Sequence, residues 1–222
     1  MKERFKGIVF DMDGVILDSE KIYRKYEYVA AERYGLPMDN IEEFCNRIAG
    51  GTKHTNKIVF KDFFHTDIDY MEYRDVVSKG VESYAAEHGY EVKPGIKELF
   101  DFLKTRGIKI ALATSTDKDR ATKFLEPHGL LPYFDAMVFG DSIAPGRGKP
   151  NPDIYLTACE KLGTAPAETI GVEDSRNGVL SSHRGGLYTV MVLDLIPPDD
   201  DIRECADEIY ENAMQITELF KV

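Results

Sequence analysis

The sequence predicts an α/β protein: a parallel sheet covered by helices on both faces, with a helical segment inserted directly after the first strand. Three observations predict this. From Val92 onward, short apolar runs alternate with helical patterns, the arrangement that builds parallel sheets through right-handed crossovers. Polar residues gather just after those runs, and in such sheets the ligand crevice lies beyond the carboxyl ends of the strands. From Ser19 to about His88, by contrast, there are helical patterns with aromatic faces and no convincing strand, over a length far beyond an ordinary loop.

Taken in order, Lys6 to Phe10 is short, apolar and β-branched, the pattern of a strand buried on both faces, and it runs into Asp11-Met12-Asp13-Gly14. Ser19 is the predicted N-cap of a helix with Ile22, Tyr26, Val29 and Arg33 at helical spacing, stopped by Gly35 before Pro37. Further helices are predicted over Asn40 to Ile48, Thr52 to Phe64 and Asp69 to Glu87, their aromatic residues accounted for by helix packing. Pro94 begins a helix whose buried stripe is Ile96, Leu99, Phe100 and Leu103, ended by Gly107. The strand Ile108 to Ala113 leads into Thr114-Ser115-Thr116-Asp117 and a helix through Leu125, and Met137 to Phe139 is a short strand. Asn151-Pro152 caps and starts a helix from Asp153 to Leu162, with Gly163 as its stop. Thr169 to Val172 is a strand ending in Glu173-Asp174-Ser175, followed by a helix from Arg176 to about Arg184. Leu187 to Val192, a strand near Glu208 to Tyr210 and a helix from Asn212 complete the pattern.

A chain of 222 residues is long enough for a core with a smaller insert. The predicted division is a core of residues 1–16 and 92–222 and a helical cap of residues 17–91, hinged near Val15 to Ser19 and Tyr90 to Pro94. A segment inserted after the first strand emerges at the crevice end of the sheet, so it is placed as a lid. An apolar fraction of 43% supports a packed core, and the formal charge of −11 argues against a general binder of nucleic acid or anionic membrane. No apolar run approaches the roughly 18 residues of a membrane span, and Met1-Lys2-Glu3-Arg4 leads into a strand rather than a signal-peptide core; the expectation is a cytoplasmic protein, a monomer being favoured with the oligomeric state left open by the sequence. Cys45, Cys159 and Cys205 are odd in number and far apart, suiting a reducing compartment. His54, His65, His88, His128 and His183 show no metal-ligand spacing.

The chemistry-bearing residues fall at one edge of the predicted sheet. Asp11 and Asp13, one residue apart after the first strand, repel each other unless a cation, a shared proton or water intervenes, and a hard dication such as Mg²⁺ is the simplest partner. Alone, Asp-x-Asp-Gly is as much a polar turn as a metal site. Thr114 and Ser115 suit a helix cap, Lys149 a solvated loop charge, and Glu173-Asp174-Ser175 a helix N-terminus with favourable dipole charges. Those separate explanations do not account for all four groups landing at the same rim. Together they suit phosphoryl transfer. Asp11 attacks phosphorus, Mg²⁺ and Lys149 neutralise the meeting of two anions, and Asp13 gives and takes the proton. Thr114, Ser115 and nearby N–H groups hold phosphoryl oxygens, and Asp174 supplies a second metal carboxylate, with Glu173 as ligand or orienting neighbour.

The set Phe10-Asp11-Met12-Asp13-Gly14-Val15, Ala113-Thr114-Ser115, Gly148-Lys149-Pro150-Asn151-Pro152-Asp153 and Val172-Glu173-Asp174-Ser175, in that order and spacing, resembles the four motifs of the haloacid dehalogenase superfamily. The match covers nearly the whole chain, and the insert resembles the C1-type cap of the branch holding β-phosphoglucomutases and small phosphatases. The resemblance implies a Rossmann-like core and Mg²⁺-dependent phosphoryl transfer. It also implies Asp11 as nucleophile, Asp13 as acid and base, Thr114 and Lys149 on the phosphoryl group, and Asp174 on the metal with Asp11 and the Asp13 carbonyl. β-Phosphoglucomutases usually carry a histidine where this chain has Tyr23 and a cap arginine near Lys53, so these two positions are candidate specificity residues. Dehalogenases need neither Mg²⁺ nor the second aspartate, so Asp13 and Asp174 argue against carbon–halogen cleavage. The expected activity is hydrolysis of a small sugar-like or nucleotide-like phosphomonoester. The alternatives are a phosphomutase and a non-catalytic switch that binds Mg²⁺ and phosphate.

Overall fold

The computed structural model describes residues 4–221, so the expectation placed on Met1-Lys2-Glu3 lies outside the described residues. Six parallel strands, β1 (Gly7–Phe10), β2 (Lys109–Ala113), β3 (Ala136–Val138), β4 (Thr169–Glu173), β5 (Tyr188–Val192) and β6 (Glu208–Tyr210), form one sheet in the order β3-β2-β1-β4-β5-β6. This is the doubly wound α/β order, and its direction reverses between β1 and β4. Phe10 lies opposite Leu112 on one side and Val172 on the other, so the residues that follow these strands leave the sheet side by side.

Successive side chains of a strand point to opposite faces, and β1 sorts accordingly. Ile8 and Phe10 join Ile110, Leu112, Ile170 and Val172 under α5 (Ile96–Thr105), whose buried residues are the predicted Ile96, Leu99, Phe100 and Leu103. Val9, Ala111 and Ala113 face the other way, onto α7 (Asp153–Leu162). The small side chains of β2 let α7 lie close, which brings Tyr155 beneath the rim.

Between β1 and α5 run four helices, α1 (Glu20–Tyr34), α2 (Ile41–Ile48), α3 (Lys53–Phe64) and α4 (Tyr70–His88), with no strand among the described residues. The helices predicted from Thr52 and Asp69 are α3 and α4, and these two residues cap them, Thr52 accepting from Thr55 N–H and Asp69 from Met71 N–H. The aromatic residues pack on one another: the Phe44 and Phe64 rings are 4.8 Å apart, Phe60 and Tyr73 4.7 Å. The two connections between insert and core are tied together, with Asp18 N–H donating to Glu91 O and Lys93 N–H to Ile16 O, both at 2.9 Å. The remaining helices are α6 (Lys118–Leu125), α8 (Arg176–Arg184) and α9 (Asp200–Cys205).

Several local expectations are corrected. The buried face of α1 is Ile22, Glu27, Ala30 and Ala31, while Val29 is 43% exposed, because the two alanines let α1 approach α4 closely. Ser19 makes no cap bond and Asn151 spends its amide on Gly146 O and Gly148 O, each side chain finding a nearer partner than the helix end. The helix after Pro94 starts at Ile96, since Gly95 turns at φ +84° in between. Helix α9, absent from the sequence expectation, is short and acidic and starts on the Asp199 cap. The segment after Asn212 is a 3-10 helix, Ala213–Phe220. Cys45, Cys159 and Cys205 are free thiols, and no helix among the described residues is long and apolar enough to cross a membrane.

Candidate active site

Asp11 leaves β1 with its N–H on Val172 O (3.0 Å), and Thr114 leaves β2 with its N–H on Val138 O (3.1 Å), so strand pairing continues into the site and fixes where both side chains start. Lys149, fully buried, reaches this rim from the loop before α7. Its ammonium donates to Asp11 Oδ1 (2.6 Å), Glu173 Oε1 (2.5 Å) and Ala113 O (3.1 Å), which uses all three of its protons. Burial would drive a proton off this lysine, but Asp11 and Glu173 outweigh it and raise its pKa above the ordinary value.

Glu173 is held on all sides. Tyr155 OH donates to its Oε1 at 2.6 Å and Ser175 Oγ to its Oε2 at 3.3 Å. Gly178 on α8 makes room for the carboxylate, since a Cβ there would lie 1.9 Å from it. Asp174 contrasts with this: it is buried, yet no hydrogen bond reaches its carboxylate among the described residues. A Cβ at Gly14 would fall 2.0 Å from Asp174 Oδ2, so only glycine lets the turn after Asp13 pass this close.

Carboxylate oxygens of Asp11, Glu173 and Asp174 lie within 4.8 Å of one another. Burial, opposed by Lys149 and reinforced by Glu173 and Asp13, pushes the pKa of Asp11 up to about 8. Burial, together with Glu20, Glu173 and Asp11, takes Asp174 well above the carboxylate range. Glu20, the first residue of α1, is pushed up to about 8 by burial and by Asp13, Asp11 and Asp194. One lysine does not balance so many buried acids. The deficit, and the unbonded Asp174, fit a hard cation with oxygen ligands.

Asp13 stands apart from that oxygen cluster. Ser19 Oγ donates to its Oδ1 at 2.6 Å and Thr116 Oγ1 to its Oδ2 at 2.9 Å; burial still raises its pKa against these two bonds. Thr114, fully buried, accepts from Thr116 N–H (3.1 Å), which leaves its hydroxyl proton available to the cavity. Ser115 also lines the cavity, but its hydroxyl donates to Gly50 O of the insert at 2.8 Å. Of the two predicted specificity residues, Tyr23 accepts from Arg120 at 3.3 Å and Lys53 pairs with Asp117. Both contacts join the insert to the core. Asn177 of α8 adds two more, donating to Ala49 O (2.8 Å) and Arg47 O (3.3 Å).

The insert thus closes over the rim and leaves a cavity of about 130 Å³. Asp11, Asp13, Thr114 and Asp174 form its floor, and Tyr23, Glu27, Asn56 and Arg74 line the side belonging to the insert. The structure brings together Asp11, Asp13, Thr114, Lys149, Glu173 and Asp174 as the motifs predicted. It adds Thr116, Tyr155, Gly178 and Asn177, which the sequence reading missed. Thr116 sits inside the quoted Thr114-Ser115-Thr116-Asp117 run and could have been found there; the others carry no local signal.

Comparison with known proteins gives a consistent result. Residues 5–186 match the family described as haloacid dehalogenase-like hydrolase. The chain is 34% identical to a phosphorylated carbohydrates phosphatase of Thermotoga maritima, over 83% of each chain. It is 31% identical to a β-phosphoglucomutase of Bacillus subtilis, over 84% of this chain and 83% of the relative. The crystal structure of a putative β-phosphoglucomutase from Thermotoga maritima superimposes with a TM-score of 0.71 at 29% identity, over 97% of this chain and 98% of the other. With the strand-end acids, the buried lysine and the inserted helices all accounted for, the chain belongs to the haloacid dehalogenase-like hydrolase family.

Proposed function

We propose that this hydrolase removes phosphate from a small phosphorylated carbohydrate by way of a phosphoryl group carried on Asp11, with residues 17–91 acting as a cap. The observation that carries the proposal is the buried Asp11 carboxylate, bonded by Lys149 and set beside an Asp174 with no bond of its own. An Asp11 oxygen attacks phosphorus, the bond to the leaving oxygen breaks, and that oxygen takes a proton from Asp13. A water then loses its proton to Asp13 and attacks the same phosphorus, releasing phosphate and the Asp11 carboxylate. Burial helps Asp13 hold the proton it must give, and Ser19 and Thr116 fix its direction. On this reading the Thr114 hydroxyl and Lys149 bind phosphoryl oxygens, Lys149 turning to them the proton it now gives to Asp11 while Glu173 keeps it oriented. Mg²⁺, held by Asp11, Asp174 and the Asp13 carbonyl, would supply the charge neutralisation that lets one anion approach another.

The named relatives support a carbohydrate phosphate over a nucleotide, and one of them also supports a second activity, phosphomutase. Tyr23, bonded to Arg120 where mutases usually carry a histidine, favours hydrolysis. The test is a screen of sugar monophosphates with Mg²⁺, scored for both outcomes. Steady phosphate release without a bisphosphate primer is expected; isomerisation with little free phosphate overturns hydrolysis in favour of the mutase.

A further inference from the structure

Glu27 lies on α1, buried between helices where an apolar side chain would pack as well, and only 8% exposed. A carboxylate in such a place is costly unless it is paired. Its Oε2 accepts from Tyr73 OH at 2.7 Å, and no hydrogen bond reaches Oε1 among the described residues. Glu27 lines the same cavity as Asp11 and Asp174, with Asn56 and Arg74 on the neighbouring walls. Glu20, Tyr23 and Glu27 share one face of α1 at helical spacing, so the cavity follows that face inward. Seven residues at 1.5 Å rise put Glu27 about 10 Å along the helix from Glu20, which lies beside the acidic rim.

We propose that Glu27 is a specificity-determining residue that binds the distal hydroxyl groups of the leaving group, selecting a phosphorylated polyol or sugar of about five or six carbons. This rests on the phosphatase activity proposed above and adds the part of the substrate that the cap recognises. The free oxygen accepts from a hydroxyl; beside it, the Arg74 guanidinium, which gives one N–H to Ser78 Oγ at 3.1 Å, has further donors for a neighbouring hydroxyl, while the Asn56 amide already donates to Ile48 O at 3.0 Å. A site built to bond a hydroxyl penalises a substrate that lacks one, because its buried polar atom is then left unpaired. Burial, against the Tyr73 bond and Arg74, also pushes the pKa of Glu27 up to about 7, which suits a group that both donates and accepts. Two- and three-carbon phosphates stop short of it.

The experiment compares kcat/KM for glycolaldehyde phosphate, glycerol phosphate, pentose and hexose monophosphates and p-nitrophenyl phosphate, in the wild type, Glu27→Gln and Glu27→Leu with Mg²⁺. In the wild type the pentose or hexose compounds are expected to be preferred. In Glu27→Leu the ratio of sugar phosphate to aryl phosphate is expected to fall at least tenfold, chiefly through KM. Glu27→Gln, which keeps the volume and one acceptor, should fall between. The aryl phosphate rate reports on the same sample whether the rim is still assembled. A parallel loss on every substrate, an unchanged ratio, or a wild-type preference for the short phosphates overturns the role of Glu27 while leaving the phosphatase standing. A wild type that cleaves none of these compounds overturns both.

Discussion

At the rim of the sheet, Lys149 spends its three protons on Asp11, Glu173 and Ala113 O, and Glu173 receives Tyr155 and Ser175 as well. Deeper in the insert, Glu27 has one hydroxyl, from Tyr73, and an oxygen left over. The first arrangement is rigid because every member fixes another, and Asp11, Ala113, Glu173 and Ser175 lie at or within two residues of strand ends. The second leaves capacity unused. Steps common to every substrate need the reacting groups held before substrate arrives, whereas recognition of a variable leaving group needs bonding capacity kept open until it binds.

The strongest way to break this contrast is at Asp11. On the proposed mechanism Asp11→Asn abolishes turnover, since an amide does not accept the phosphoryl group, while the strands and helices that hold position 11 remain. Phosphate release at background level with an unchanged circular dichroism spectrum is the expected result; near wild-type release would remove Asp11 from the chemistry.

Lys149→Met comes next and tests the rim as structure. It leaves Asp11 and Glu173 buried without their cation, and breaking a buried pair in this way costs about 3–5 kcal/mol. For a chain of this size that lowers Tm by roughly 10 °C. A calorimetric Tm within about 2 °C of the wild type would show that the rim does not depend on its lysine.

Glu27 sharpens the same contrast through pH. Its folded pKa of about 7 stands above the ordinary 4.5, so its contribution to stability is full below 4.5, is lost as pH rises towards 7, and stays lost above. Glu27→Gln removes that dependence. The stability of the variant relative to the wild type should therefore climb between pH 4.5 and 7, by an amount on the order of 3 kcal/mol, in urea titrations at several pH values. A difference that does not change with pH would mean that Glu27 is not held in the buried state described.

The same division decides what was legible in the sequence. Asp11, Asp13, Thr114, Glu173 and Asp174 each lie at the carboxyl end of a strand or within three residues of it, and a strand announces itself through a few apolar residues, so their convergence could be read without coordinates. Glu27 was hidden because the face of α1 is set by contact with α4, where Ala30 and Ala31 rather than Val29 permit close packing. Tyr155 reaches Glu173 from α7, 18 residues earlier in the chain. Asn177 depends on where a loop more than a hundred residues away comes to rest. Only tertiary packing fixes such pairs.

Asn177 is also where the two regions meet, and there the smallest effect is expected. Its amide holds Ala49 O and Arg47 O, the end of α2 and the residue after it, and Ser115 holds Gly50 O beside them. Each such bond contributes about 1 kcal/mol net. Asn177→Ala leaves the catalytic groups and the helix interior untouched, so Tm should move little, while closure of the insert over the rim becomes less favourable. Amide exchange at Gly50, Gly51 and Thr52 should speed up several-fold and KM for a bound sugar phosphate should rise by a similar factor, with the rate at saturation nearly kept. If exchange in that loop is unchanged while KM rises, Asn177 touches substrate rather than the cap; if both are unchanged, closure rests on Ser115, Arg120 and the Lys53–Asp117 pair instead.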